Sequence, residues 1–252
     1  METTVLITGA SSGIGAELAK LFASDGSHLI LVSRKSNQLD TVAGELRQNG
    51  AQVTVIPTDL SVKGAAEHIV EQLDKEHITL DVLVNNAGFG AFGAFAEIET
   101  KTQLDEVQVN VLALTHLTRL LLPGMIERKS GRILNVASVA GFLPGPFAAV
   151  YYATKAYVIS FSEALASELQ GTGVTATVLC PGATKTAFFS RAGREPKMPN
   201  LMTAAAVAQS GYDAVLKGRT MVIPGLMNSL LPLLLRLFPR RMITAFARRL
   251  QK

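Results

Sequence analysis

With 252 residues, 48% of them hydrophobic and 17% charged, the chain can bury a sizeable core without crosslinks, which excludes a disordered protein. Its one cysteine, Cys180, excludes an internal disulfide and, set in the apolar run Val178-Leu179-Cys180, reads as a small core side chain in a reducing, cytoplasmic compartment. The net charge of +4 does not indicate nucleic acid: the basic residues gather only near the end, in Arg236, Arg240, Arg241, Arg248, Arg249 and Lys252, with no compact basic motif or array of stacking aromatics.

The N-terminus runs from Met1-Glu2-Thr3-Thr4 straight into a strand, without the basic start, apolar segment and cleavage site of a secretion signal. Seven short apolar runs follow in order: Val5 to Thr8, Leu29 to Ser33, Val53 to Pro57, Val82 to Asn85, Arg132 to Ser138, Val174 to Cys180 and Met221 to Pro224. They are almost continuously apolar, as parallel strands covered on both faces must be. Between them Ile14 to Asp25, Leu39 to Asn49, Ala65 to Lys75, Thr102 to Arg128 and Ala153 to Gln170 read as crossover helices. The alternation predicts a single-domain α/β fold of the Rossmann type, a doubly wound, seven-stranded parallel sheet flanked by helices. The catalytic domain is expected over residues 1–225, with 226–252 as an extension of it. The one long irregular stretch, Ala183 to about Met202, is placed as a functional loop.

The first strand empties into Gly9-Ala10-Ser11-Ser12-Gly13-Ile14-Gly15, followed at once by a helical pattern. Glycines allow the tight turn and a close backbone approach to a pyrophosphate, and the following helix turns its positive end to the anion. The spacing is T-G-x-x-x-G-x-G rather than G-x-G-x-x-G, and here the chain resembles the short-chain dehydrogenase/reductase family. The resemblance runs over residues 3–225 with at least five motifs in order, and it implies an oxidoreductase that uses Gly9, Ser11, Ser12, Gly13, Ile14 and Gly15 to hold a nicotinamide dinucleotide. An acid at the end of the second strand would bond the ribose of NAD, but the residues there are Ser33, Arg34 and Lys35. A guanidinium matches a phosphate in bidentate geometry, so Arg34 is assigned to the 2′-phosphate of NADP(H). The resemblance further implies Asp59 and Leu60 flanking the adenine, and Asn86, Ala87 and Gly88 supporting the sheet and the ribose.

Tyr151 and Lys155 stand four apart at the start of a helical pattern, which puts both on one helix face. A free tyrosine, with pKa about 10, is a poor acid or base near neutrality. A neighbouring ammonium favours its phenolate, so Lys155 is expected to tune Tyr151 as the proton donor in carbonyl reduction. Ser138, ending the fifth strand, is expected to hydrogen-bond the substrate oxygen. The resemblance assigns Asn110 to a water-bridged proton relay ending at Lys155. It also assigns the turn from Pro181 and Gly182 through Thr184 and Thr186 to the carboxamide and pyrophosphate. Tyr152, three residues from Lys155, is expected to pack or line the pocket.

Phe89, Phe92, Phe95, Phe142, Pro144, Phe147, Phe188 and Phe189 fall after carboxyl ends of strands, so the substrate is expected to be an apolar ketone, 3-oxoacyl compound or steroid-like molecule. The alternative reading is a catalytically silent NADPH-binding regulator, against which stands the presence of both Tyr151 and Lys155. The family resemblance implies a homodimer or homotetramer. The tail, broken by Pro232 and Pro239, is too short for a transmembrane helix. Three placements are open to it: on an anionic membrane surface, over the active-site loop, or in a subunit contact.

Overall fold

The computed structural model describes residues 3–34, 37–191 and 201–251. In chain order the first half comprises β1 (Thr4–Thr8), α1 (Gly13–Ser24), β2 (His28–Ser33), α2 (Asn37–Gln48), β3 (Val53–Pro57), α3 (Ala65–Lys75) and β4 (Val82–Asn85). A long helical segment follows, made of α4 (Thr100–Val107), a π-helical turn (Gln108–Ala113) and α5 (Leu114–Glu127). Then come β5 (Gly131–Val136), a 3₁₀ turn (Val139–Phe142), α6 (Ala149–Glu168) and β6 (Val174–Leu179). The remainder is β7 (Thr184–Lys185), α7 (Phe188–Arg191), β8 (Met202–Thr203), α8 (Ala204–Leu216), β9 (Met221–Val222), α9 (Leu226–Arg236) and α10 (Arg240–Gln251).

Seven strands form one parallel sheet in the order β3-β2-β1-β4-β5-β6-β9. Successive side chains of a strand face opposite ways, and both directions are apolar here. Val5 and Ile7 join Leu29, Leu31, Val82 and Val84 in one core with α1, α2 and α8. Leu6, Ile30, Val32, Leu83 and Ile133 join a second core with α3, α5 and α6. This two-sided burial explains why the runs show no alternation of apolar and polar residues. Leu31, fully buried, makes the dependence concrete: Leu31→Ala would cost about 2–5 kcal/mol. The chain order reverses direction between β1 and β4, which opens the crevice at the carboxyl edge where doubly wound sheets bind ligands.

Several local expectations need correction. β5 ends at Val136, two residues before Ser138, because Ser138 caps the 3₁₀ turn by accepting the Ala140 N–H at 3.1 Å. β6 ends one residue before Cys180, and α6 begins at Ala149, four residues earlier than read, so Tyr151 lies in its first turn. The stretch from Ala183 is not wholly irregular: β7 and β8 pair as a small parallel sheet with α7 between them, and 192–200 fall outside the described residues. Helix α8 went unread, although Thr203 caps it and Val207, Gly211 and Val215 recur at helical spacing on its buried face. In the tail, Pro232 sits inside α9 without ending it, whereas Pro239 does separate α9 from α10. Cys180 is a buried, inert thiol, its pKa pushed up to about 12 by desolvation.

Candidate active site

The parallel register brings the turns after β1, β2, β3, β4, β5 and β6 to one edge of the sheet. The turn after β1 is tied to the turn after β4. Thr8 Oγ1 accepts the backbone N–H groups of Asn86 and Ala87, both at 3.0 Å, and Asn86 Nδ2 donates to the carbonyls of Thr8 at 2.9 Å and Gly9 at 3.2 Å. Glycine is required where these turns touch. A Cβ on Gly15 would lie 2.5 Å from both the Gly9 carbonyl oxygen and Asn86 Nδ2, and one on Gly9 would lie 2.9 Å from Ala87 Cα. Gly9 and Gly13 also hold φ of +67° and +60°. Thr186 reaches over from beyond β6, its Cγ2 3.2 Å from where a Gly13 Cβ would stand, so the two turns close on the start of α1.

Ser33 Oγ donates to Ser11 Oγ at 3.1 Å, which joins the end of β2 to the glycine turn. Arg34 is exposed beside it, and Lys35 falls outside the described residues. Asp59 resists ionisation through partial burial. The Ser61 amide and hydroxyl, at 3.0 and 2.8 Å, and the facing Arg34 cation outweigh this and hold its carboxyl below the usual value. Leu60 is buried under the same turn. The cradle therefore fits a dinucleotide: bare glycine backbone at a helix start with no acidic residue in its first turn, and a cation at the far end. Gly182 has a packing role, since a Cβ there would strike Asn228 Nδ2 at 2.4 Å, and Thr184 Oγ1 turns back to the Gly182 carbonyl at 2.9 Å.

Beyond β5, three side chains converge. The Ser138 hydroxyl, which donates to the Pro181 carbonyl at 3.4 Å, acts on the Tyr151 phenol, and Lys155 Nζ lies 5.8 Å from the centre of the Tyr151 ring. Lys155 is buried and donates to the Val136 carbonyl at 2.8 Å. Desolvation pulls its pKa down to about 8. Desolvation also pushes the Tyr151 phenol well above its ordinary value, against the smaller opposing pull of the Ser138 hydroxyl. Tyr152 and Glu106 add to the upward shift, so in the chain without a cofactor burial holds the phenol protonated.

Asn110 lies in the π-helical turn, where the inserted residue breaks the regular helix and points its amide inward. Its Nδ2 donates to the Phe89 carbonyl at 2.8 Å and to Thr154 Oγ1 at 3.1 Å, and its Oδ1 accepts the Phe89 N–H at 3.1 Å. Asn110 Oδ1 and Lys155 Nζ flank Gly88 together, 3.0 and 3.4 Å from its Cβ position. The four residues read as catalytic are therefore neighbours, brought together from the turn after β5, α6 and the long helical segment.

The comparisons agree with this geometry. The family profile of short chain dehydrogenases matches residues 3–197. The chain belongs to the short chain dehydrogenase family. It is 36% identical over 227 residues to the ketoacyl reductase HetN of Nostoc sp., covering 87% of this chain and 77% of that protein. It is 34% identical over 222 residues to the very-long-chain 3-oxoacyl-CoA reductase of Anas platyrhynchos, covering 84% and 70%. The short-chain dehydrogenase from Sphingobium yanoikuyae, solved in complex with NADPH, superposes with a TM-score of 0.86 at 32% identity, covering 93% of this chain and 92% of that one. As a short chain dehydrogenase the chain is an oxidoreductase, and its cofactor is a nicotinamide adenine dinucleotide.

In this short chain dehydrogenase Tyr151 sits in an aromatic wall. Its ring centre is 5.2 Å from Phe188, 6.0 Å from Tyr152 and 6.3 Å from Phe92, and Phe92 in turn lies 6.4 Å from Phe189. Not every phenylalanine belongs there. Phe142 packs into the core with Val158 and Ile159, and Phe95 is exposed. Tyr152 packs over Gly145, whose absent side chain makes the room. Phe147 holds a left-handed φ of +65°, costly for a bulky residue, with its carbonyl accepting the Gly93 N–H at 2.8 Å.

One titratable residue escaped the sequence reading. Glu106 is fully buried and lines a cavity of about 20 Å³ with Ala91, Gly93, Gln103, Phe147 and Val150. Among the described residues its Oε2 accepts only the long 3.4 Å bond from Ala91 N–H, and Oε1 has no hydrogen-bond partner. Desolvation raises its pKa to about 7, opposed by the Ala91 bond and the Lys155 charge. The available signal was its place one helical turn before Asn110, on the face that Asn110 buries.

Proposed function

We propose that this protein is an NADPH-dependent carbonyl reductase acting on an apolar ketone, a 3-oxoacyl or steroid-like compound, with Tyr151 as proton donor. The observation that carries the reading is the convergence of Ser138, Tyr151, Lys155 and Asn110 under an aromatic wall at the carboxyl edge of the sheet. When bound, the dinucleotide supplies the hydride to the substrate carbon. The phenol of Tyr151, held protonated by burial, gives its proton to the developing alkoxide, and the Ser138 hydroxyl donates to the same oxygen. Lys155 holds the ribose side of the cofactor and, with Asn110 beside it, restores the proton to Tyr151.

The preference for NADPH rests on the end of β2, where a hydroxyl and the exposed Arg34 guanidinium stand in place of a carboxylate. The NADPH in the Sphingobium relative supports it. The apolar substrate class rests on Phe92, Phe188 and Phe189 and on the ketoacyl and oxoacyl reductases among the relatives. We further propose cytoplasmic action as a homodimer or homotetramer. The open apolar groove of about 400 Å³ along Val107, Val111, Val150 and Thr154 supports such an assembly, which sedimentation would test. The enzymatic test is NADPH oxidation against acetoacetyl thioesters, ketosteroids, medium-chain aldehydes and quinones. Turnover of the first two above the others supports the reading, and turnover of none would overturn it.

A further inference from the structure

The tail reverses the usual relation between burial and polarity. On an α-helix successive residues turn by about 100°. Leu226, Met227, Leu230, Leu233, Leu234 and Leu237 then share one arc of α9 and its last turn, and all six are exposed, by 41% to 78%. The inward side carries Asn228, Leu231 and Leu235, only half-buried. A helix on a water-facing surface shows the opposite pattern. α10 continues the surface: Ile243 and Ala247 are buried against the body, while Met242 and Phe246 are exposed.

Around this apolar stripe stand Arg236, Arg240, Arg241, Arg248 and Arg249, all exposed, and no acidic residue occurs anywhere in 226–252. We propose that the outer face of α9 and α10 docks on an anionic lipid bilayer, with the leucines entering the acyl boundary and the arginines meeting the headgroups. Charge decides between this occupant and a second copy of the chain. A symmetric contact would set arginines against arginines with no carboxylate to pair them, whereas an anionic surface neutralises them all.

The docked face connects to the site. The Arg248 guanidinium lies 5.8 Å from the ring centre of Phe147, which stands four residues before Tyr151, just ahead of α6, and lines the cavity beside Glu106. An apolar substrate dissolved in the bilayer would then meet the enzyme at the aromatic wall. That consequence rests on the reductase reading; the docking itself does not.

Flotation of the full chain separates the two. With vesicles of phosphatidylcholine and phosphatidylglycerol the protein is expected to float at low salt, and to stay down with phosphatidylcholine alone or at high salt. Leu233→Glu with Leu237→Glu, both exposed on the outer arc of α9, should lower partitioning by more than about tenfold while leaving the circular dichroism spectrum unchanged. Arg240→Glu with Arg241→Glu should abolish the preference for anionic vesicles and keep the fold. Equal flotation of wild type and the leucine variant overturns the proposal. So does a wild type that stays down with every vesicle yet loses a subunit when Leu233 and Leu237 are changed, which would make the face a contact between copies. Flotation without NADPH oxidation leaves the docking standing and refutes the reductase reading alone.

Discussion

The two ends of the crevice are built by different means. At the cofactor end, bare backbone is packed against its neighbours: Gly9 and Gly15 against each other, the Asn86 side chain and the Ala87 backbone, and Gly13 against the Thr186 side chain, and each close approach excludes a Cβ. At the substrate end, side chain meets side chain. Three aromatic rings pack on Tyr151, Phe147 is held in a left-handed conformation, and one oxygen of the buried Glu106 carboxyl has no hydrogen-bond partner among the described residues. A cofactor shared by many enzymes needs the first kind of site, whereas substrate choice can vary through the second without disturbing the sheet.

The largest effect expected from breaking this comparison is at the point where the ends meet. Tyr151→Phe keeps the ring that packs on Phe188 and removes only the hydroxyl. Turnover should fall by about 10²- to 10⁴-fold, the range of a lost general acid, with NADPH affinity nearly unchanged when measured by fluorescence titration. Wild-type turnover in this variant would remove Tyr151 from the chemistry.

On the cofactor side, Gly15→Ala sets a methyl 2.5 Å from a carbonyl oxygen that cannot move without shifting β1. A loss of about 1–3 kcal/mol in stability is expected, together with weaker binding of both NADPH and NADH. Thermal unfolding and titration check the two parts. Arg34→Asp should act more narrowly, weakening NADPH by about ten- to hundredfold relative to NADH through one lost charged contact, and leaving thermal stability alone. An unchanged ratio of dissociation constants would assign the 2′-phosphate to another residue.

The same division explains what was legible in the sequence. Strand number, the parallel sheet and the glycine turn follow from local patterns: continuous apolar runs, glycine spacing, and the absence of an acid after Val32. Tyr151, Lys155, Ser138 and Asn110 were also found, because their chemistry depends on residue type at fixed spacing. Ser138 was misplaced onto the strand because its extended backbone continues the strand direction, and only the cap to Ala140 marks the end. α8 was hidden in the small-residue sequence Ala204 to Gly211, where the helical signal lies in Val207, Tyr212 and Val215, and its packing on α1 is a long-range fact. The substrate end was legible only as a count of phenylalanines. Which ones face Tyr151 and which face the core depends on tertiary packing that spacing does not carry.

Glu106 gives the sharpest test of that end, because its burial costs free energy that the fold does not recover locally. Its folded-state pKa, about 7, lies above the unfolded value near 4.5, so the native state holds the proton more tightly. Folding is therefore unpenalised below about pH 4.5, loses stability as pH rises between the two values, and carries the full penalty above about pH 7. The shift corresponds to an upper bound of about 3 kcal/mol. Glu106→Gln keeps the shape and removes the charge, yet still leaves an amide short of partners, so a net gain of about 1 kcal/mol is expected at pH 8. Near pH 4.5 the gain should vanish, since wild-type Glu106 is then neutral as well. Denaturant unfolding of both proteins across this range checks the sign. A pH-independent difference would mean that Glu106 has the same pKa folded and unfolded, so that its carboxylate is no worse solvated in the fold than in water.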